Sequence, residues 1–237
     1  MLKNVLLSPP QSDLSFFGVK EKRNRLLPVV FVAVFAVSRI PNLMPANFSV
    51  AYAFAFCAGV YFRGAMAWWL PLGTMLVTDL GLNFYYWSHG IDVWNSKDLA
   101  NLAFNYAAYA ALIFLGRRFK PQSSFAALLG GGILGAIFFY LITNTASWFF
   151  NPFSNPEYSK NLAGWLIALT KGTGGYPSTW EFFRNTLFSG GLFTALFAGV
   201  AKLTAPAESP ADKTAGAREP EAEGEGETEA EPEEAKA

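Results

Sequence analysis

The stretch Phe125–Phe149, FAALLGGGILGAIFFYLITNTASWF, decides the fold. It has no Asp, Glu, Lys or Arg, and as a helix at about 1.5 Å per residue it is longer than the roughly 20 residues that hydrocarbon requires. Inside a bilayer only helices and closed barrels satisfy their own backbone, and a continuous apolar run rather than an alternating one excludes a barrel. Similar runs lie at 26–40, 47–62, 65–84, 99–116 and 184–203. The expected fold is therefore all-α, a six-helix transmembrane bundle. The run 47–62 is the shortest, and Pro71 predicts a local kink in the third helix.

Composition agrees with that class. The chain is 52% hydrophobic and 16% aromatic, too apolar for a soluble domain of this length. Its net charge of zero hides two unlike ends. Residues 1–207 hold 15 Lys+Arg and 7 Asp+Glu, whereas residues 208–237 hold 3 and 11, so the balances are +8 and −8. Orientation follows from the basic residues. Lys20, Lys22, Arg23 and Arg25 precede the first run, Arg63 follows the second, Arg117, Arg118 and Lys120 follow the fourth, and Lys202 ends the sixth. The positive-inside rule then places both termini in the cytoplasm and the protein in the inner (cytoplasmic) membrane as a multi-pass chain. Aromatic residues at Phe84–Trp87, Trp94 and Trp148–Phe150 mark the outer boundary.

Three segments follow: a cytoplasmic N-terminal piece 1–25, a transmembrane domain 26–204 and an acidic tail 205–237. The tail alternates Glu with Pro, Ala and Gly and has no aromatic residue, a composition expected to stay disordered. The first residues lack the apolar core and cleavage site of a signal peptide. The outer connection 150–183 contains Leu162–Leu169, too short to span and expected as an interfacial or re-entrant helix.

With this topology the strongly polar residues of the apolar runs all fall in the outer half: Arg39, Asn47, Asp79, Asn83, Asn101, Asn105, Asn144, Arg184 and Asn185. Buried charges and amides face a protein interior or a water-filled cavity. The candidate substrate-binding residues are Asp79, Asn83, Asn105, Asn144, Trp148 and Arg184. Arg39, Asn47, Asn101 and Asn185 read as ordinary helix-end residues. Asp79 needs a cation, and Arg39 and Arg184 are available. Asn83 shares its face at i+4. Asp98, Asn101 and Asn105 form one stripe, with Asp98 as a candidate helix cap. Trp148 lies on the face of Asn144, and Arg184 opens the last helix, where free N–H groups attract an anion. Small residues at 131/135, 132/136 and 191/195/199 have the four-residue spacing of close helix contacts.

Several chemistries have no signature. Gly172–Gly175 lacks the Lys-Ser/Thr of a phosphate-binding loop. No His, Cys and Glu cluster has metal-ligand spacing, and no nucleophile has a base beside it in sequence. Neither an enzyme, a cofactor, a metal nor nucleic acid is expected.

The residues Ser38-Arg39-Ile40-Pro41, Pro45-Ala46-Asn47-Phe48, Ala53–Gly59, Pro71 and Thr78-Asp79-Leu80 form a pattern. Thr143-Asn144, Asn161–Gly164 and Phe182-Phe183-Arg184-Asn185-Thr186-Leu187 extend it. Together they resemble an uncharacterised family of bacterial multi-pass transport proteins over residues 26–203. That family is similar to the substrate-capturing S components of energy-coupling factor transporters. The resemblance implies six helices, an outer site for a vitamin or metal ion, and a partner transmembrane subunit driven by two ATPases. S components often carry Ala-xxx-Ala in the first helix, whereas Ala33 and Ala36 here are three apart.

The expected function is a substrate-binding membrane subunit that captures a small molecule or ion from outside, with the loop Pro41–Asn47 as its lid. The alternative is a structural or accessory membrane protein whose outer polar residues hold helices together. The partners expected are membrane lipid, the solute and a coupling subunit.

Overall fold

A computed structural model describes residues 13–204 except 42 and 153, with side chains from Leu26 onward. The first twelve residues and the acidic tail expected beyond 204 lie outside the described residues. Among those described there are seven helices and no strand: α1 Asp13–Ser38, α2 Ala51–Tyr61, α3 Met66–Ser88, α4 Ser96–Gly116, α5 Phe125–Phe150, α6 Leu162–Thr170 and α7 Thr179–Leu203. Three of them, α4, α5 and α7, are long and apolar enough to cross a membrane. The α3 helix is as long and contains Pro71, Asp79 and Asn83.

The α1 helix starts at Asp13, thirteen residues before the expected 26, and the next helix, α2, is shorter than expected. It begins at Ala51, not near 47, because Pro45 turns the chain and Asn47 takes left-handed backbone (φ 58°). Phe48 N–H closes that turn on the Pro45 carbonyl at 3.0 Å. The eleven residues that remain reach only about 16 Å, half of a ~30 Å hydrocarbon layer. Yet every residue from Ala51 to Val60 is buried. A helix apolar on all sides must be enclosed on all sides, and α2 is packed against α1, α3, α4, α5 and α7. It is the axis of the bundle.

Small residues set how closely the helices approach. At the α2–α4 crossing Gly59 faces Gly116, and a Cβ on either would lie 3.1 Å from the other's Cα and run into main-chain carbonyls of Ile113 or Phe56. Between α5 and α7, a Cβ on Gly132 would lie 2.6 Å from Thr194 Cβ, and one on Gly190 2.7 Å from Ala136 Cβ. The packed stripe of α7 is therefore Gly190, Thr194 and Ala198. The stripe expected at 191/195/199 sits one residue, about 100°, to the side; Gly199 meets nothing within 4 Å.

Beneath the polar half, the interior is a continuous apolar cluster containing Phe54, Phe56, Leu112, Ile113 and Leu128. Phe31 of α1 stacks on Phe197 of α7 with ring centroids 3.9 Å apart. Large apolar side chains also cover the outside, including Trp69 (77% exposed), Val77 (71%) and Phe188 (67%). An apolar exterior of this kind suits lipid rather than water.

Candidate functional site

A cavity of about 900 Å³ occupies one end of the bundle. Its walls come from the C-terminal ends of α1, α3 and α5 and the N-terminal ends of α2, α4 and α7, as an alternating up-and-down bundle requires. On α4 the lining residues are Asp98, Asn101, Asn105 and Tyr109, one stripe at helical spacing. On α5 they are Phe139, Thr143, Asn144 and Ser147. Beyond Tyr52 on α2, Tyr109 on α4 and Phe139 on α5 the walls end, and the buried apolar cluster begins. The cavity is blind.

Two loops roof it. The loop between α1 and α2 contributes Ile40, Met44, Asn47 and Phe48. It is pinned by Asn185 Nδ2, which donates to the Ala46 carbonyl (2.9 Å), and by Tyr52 hydroxyl, which donates to the Asn47 carbonyl (3.2 Å). The second roof is the connection from α5 to α7, which brings Tyr158, Thr173, Tyr176 and Pro177 to the wall. The α6 helix in this connection is capped by Asn161, whose Oδ1 accepts from Gly164 N–H at 2.9 Å. Buried Asn155 ties the connection together: its N–H donates to Asn151 Oδ1 (2.8 Å) and its Nδ2 to Thr173 Oγ1 (3.3 Å). Lys171 pairs with Glu157 at 2.7 Å. Replacing Asn155 with Ala removes its side-chain bonds to the Gly172 carbonyl, Thr173 Oγ1 and Glu157 N–H while its own N–H stays bonded, at a cost of about 1–3 kcal/mol. Faster amide exchange across 151–178 with α4 and α5 unchanged is the expected readout; uniform protection would remove Asn155 from this role.

The sequence-derived candidates divide. Asn105 and Asn144 line the cavity. Asp79 stands behind the wall, where Oδ1 accepts from Arg39 Nη2 and Oδ2 accepts from the Tyr106 hydroxyl at 2.9 Å. It thereby joins α1, α3 and α4 at one carboxylate, and Arg39, the cation of the pair, is itself in the wall. Because α3 runs on to Ser88, Asp79 lies about 13 Å from its end, deeper than a helix ending at 84 implies.

Asn83, Trp148 and Arg184 are not in the wall. Asn83 is half-buried and Arg184 is exposed. Trp148 anchors the roof instead. Its indole N–H donates to the Ser159 carbonyl at 2.8 Å, and Lys160 sits 5.4 Å over its ring while donating to the Trp148 carbonyl. Asp98 is not the cap of α4; Asn95 is, accepting from Lys97 and Asp98 N–H groups at 3.1 and 3.0 Å.

Sequence reasoning missed the tyrosines. Tyr52 and Tyr109 flank Phe139, with ring centroids 4.7 and 5.0 Å away, and build one aromatic wall. The signal was present: both sit inside apolar helices, where a phenol needs a polar neighbour. Arg39, Asn47 and Asn101, read as helix ends, are also lining residues. Among the described residues no group of three His, Cys, Asp or Glu could hold a metal ion.

Residues 19–212 match the model of one protein family, described as a family of unknown function (DUF6580). No curated protein and no solved structure matches the chain.

Proposed function

The chain belongs to that family of unknown function, so its role has to come from its own site, and we propose that it is a membrane subunit that captures a small solute from outside the cell. The observation that carries this is the blind cavity with amides in its wall and an apolar plug beneath. A channel would need polar lining along its whole length. A pocket of several hundred Å³ with convergent polar groups suits a bound molecule.

In this reading the chain crosses the inner (cytoplasmic) membrane six times with both termini in the cytoplasm. Support comes from charge: Arg63, Arg117, Arg118, Lys120 and Lys202 lie at the end of the bundle opposite the cavity. The short α2 is sheathed by its neighbours rather than by lipid. Delivery inward requires a coupling subunit with ATPases, as the resemblance to S components implies. Topology is testable with single cysteines in a Cys57→Ala background. Trp94→Cys is expected to react with a membrane-impermeant maleimide in intact cells and Lys120→Cys only after lysis; the reverse pattern refutes the orientation.

Capture is tested by thermal stabilisation of the purified protein across vitamins, other small solutes and metal ions. A saturating rise in midpoint, lost in both Asn105→Ala and Asn144→Ala, is expected. Stabilisation that survives in both variants locates the site elsewhere. A second reading draws on Asp79, whose oxygens are both engaged by Arg39 and Tyr106: the outer polar residues are interhelical ties of an accessory protein. It predicts no ligand at all, together with loss of stability in Asp79→Asn.

A further inference from the structure

We infer that the cavity takes an uncharged ring compound with a cis-amide (lactam) edge, in preference to an anion or a cation; this rests on the capture reading above. The wall contains two formal charges, Arg39 and Asp98, and both are already compensated. Arg39 is paired with Asp79. Asp98 accepts from Asn95 Nδ2 at 2.7 Å and stands in the first turn of α4, where free N–H groups favour negative charge. A charged ligand would have to break one of these pairings or remain uncompensated in a partly dehydrated site, and both are costly.

The groups left over are neutral. Among the described residues the side chains of Asn101 and Asn105 make no hydrogen bond, and Asn144 spends one N–H on the Tyr140 carbonyl (2.8 Å), which leaves its Oδ1 free. The two asparagines of α4 are one turn apart on one face. A carboxamide presents an acceptor and a donor side by side, the complement of a cis-amide edge, which is how asparagine and glutamine read the edge of a nucleobase. Tyr109, stacked on Phe139 at an interplanar angle of 25°, supplies an aromatic wall against which a flat ring loses little entropy.

The test is binding to the full-length protein in detergent, by thermal midpoint and by calorimetric titration. The neutral lactams are uracil, hypoxanthine and alloxazine. Orotate and inosine monophosphate are anionic counterparts of the first two, and N-methylpyridinium is the cation. At least one neutral lactam is expected to bind saturably, with its charged counterpart weaker by about tenfold or more. Asn105→Ala is expected to weaken the lactam by a similar factor. Asn101→Ala is the second probe should the first variant not yield folded protein. A charged probe that binds as tightly as the lactams and is lost in Asn105→Ala overturns the neutral edge while capture stands. Lactam binding untouched by both substitutions overturns the role of the amides. No saturable binding by any probe overturns the lactam inference, and the wider solute and metal panel then decides whether capture falls with it.

Discussion

Asp79→Ala should lower the stability of the purified protein by about 2–4 kcal/mol, and the double replacement Arg39→Met with Asp79→Leu should restore most of the loss. The expectation follows from the asymmetry of buried charge. The pair is 28% and 14% exposed at its two side chains, so each charge depends on the other more than on water. Removing the carboxylate leaves a guanidinium whose Nε is already without a partner and a Tyr106 hydroxyl with no acceptor. The Phe35 ring, 5.8 Å from the Arg39 guanidinium, cannot make up the difference. Removing both charges leaves no uncompensated buried ion, and only the Tyr106 hydroxyl then lacks its partner. A double-mutant cycle on unfolding midpoints measures the coupling. Single variants within about 0.5 kcal/mol of wild type would falsify the tie between α1, α3 and α4.

Gly116→Val, and equally Gly59→Val, should abolish a monodisperse folded species. Overpacking in a core costs about 1–3 kcal/mol when side chains can yield. Here the obstacles are main-chain carbonyls of Phe56 and Ile113 and the Cα of the opposite glycine, and no rotamer change moves these. Separating α2 from α4 also pulls apart the buried cluster of Phe56, Leu112 and Ile113. Gly130→Val is the control, because nothing lies within 4 Å of its Cβ direction. Size-exclusion profiles and thermal midpoints of the three proteins settle the matter. A normal profile for Gly116→Val would mean that the crossing is looser than its geometry.

Much of the architecture was legible in the sequence because burial in an apolar medium imposes long uncharged runs. The run 125–149 is α5 to within a residue, and Leu162–Leu169 is α6 to within one. Errors cluster at helix ends. α4 starts at Ser96, where Asn95 caps it, and α7 starts at Thr179, where the Ser178 hydroxyl donates to Glu181 at 3.3 Å. A reading based on apolar runs passes over such polar first turns. Of the site, the α4 stripe and Asn144 were legible from periodicity. Trp148 was not separable from the wall, since it shares a helix face with lining Asn144 and yet holds the roof, whereas Arg184 is exposed. That Arg39 and not Arg184 meets Asp79 depends on which helices are neighbours, and spacing along the chain does not encode it.

The enclosure of α2 has a consequence for how the chain is made. An eleven-residue helix is too short to hold itself across a bilayer, so its place is secured by elements synthesised later. Its sheath closes with α7, the last helix among the described residues and the one that carries Phe197 to Phe31. A nascent chain halted before Thr179 leaves one side of α2 bare and the stacking partner of Phe31 absent. The bundle's axis is therefore made well before the helix that seals it.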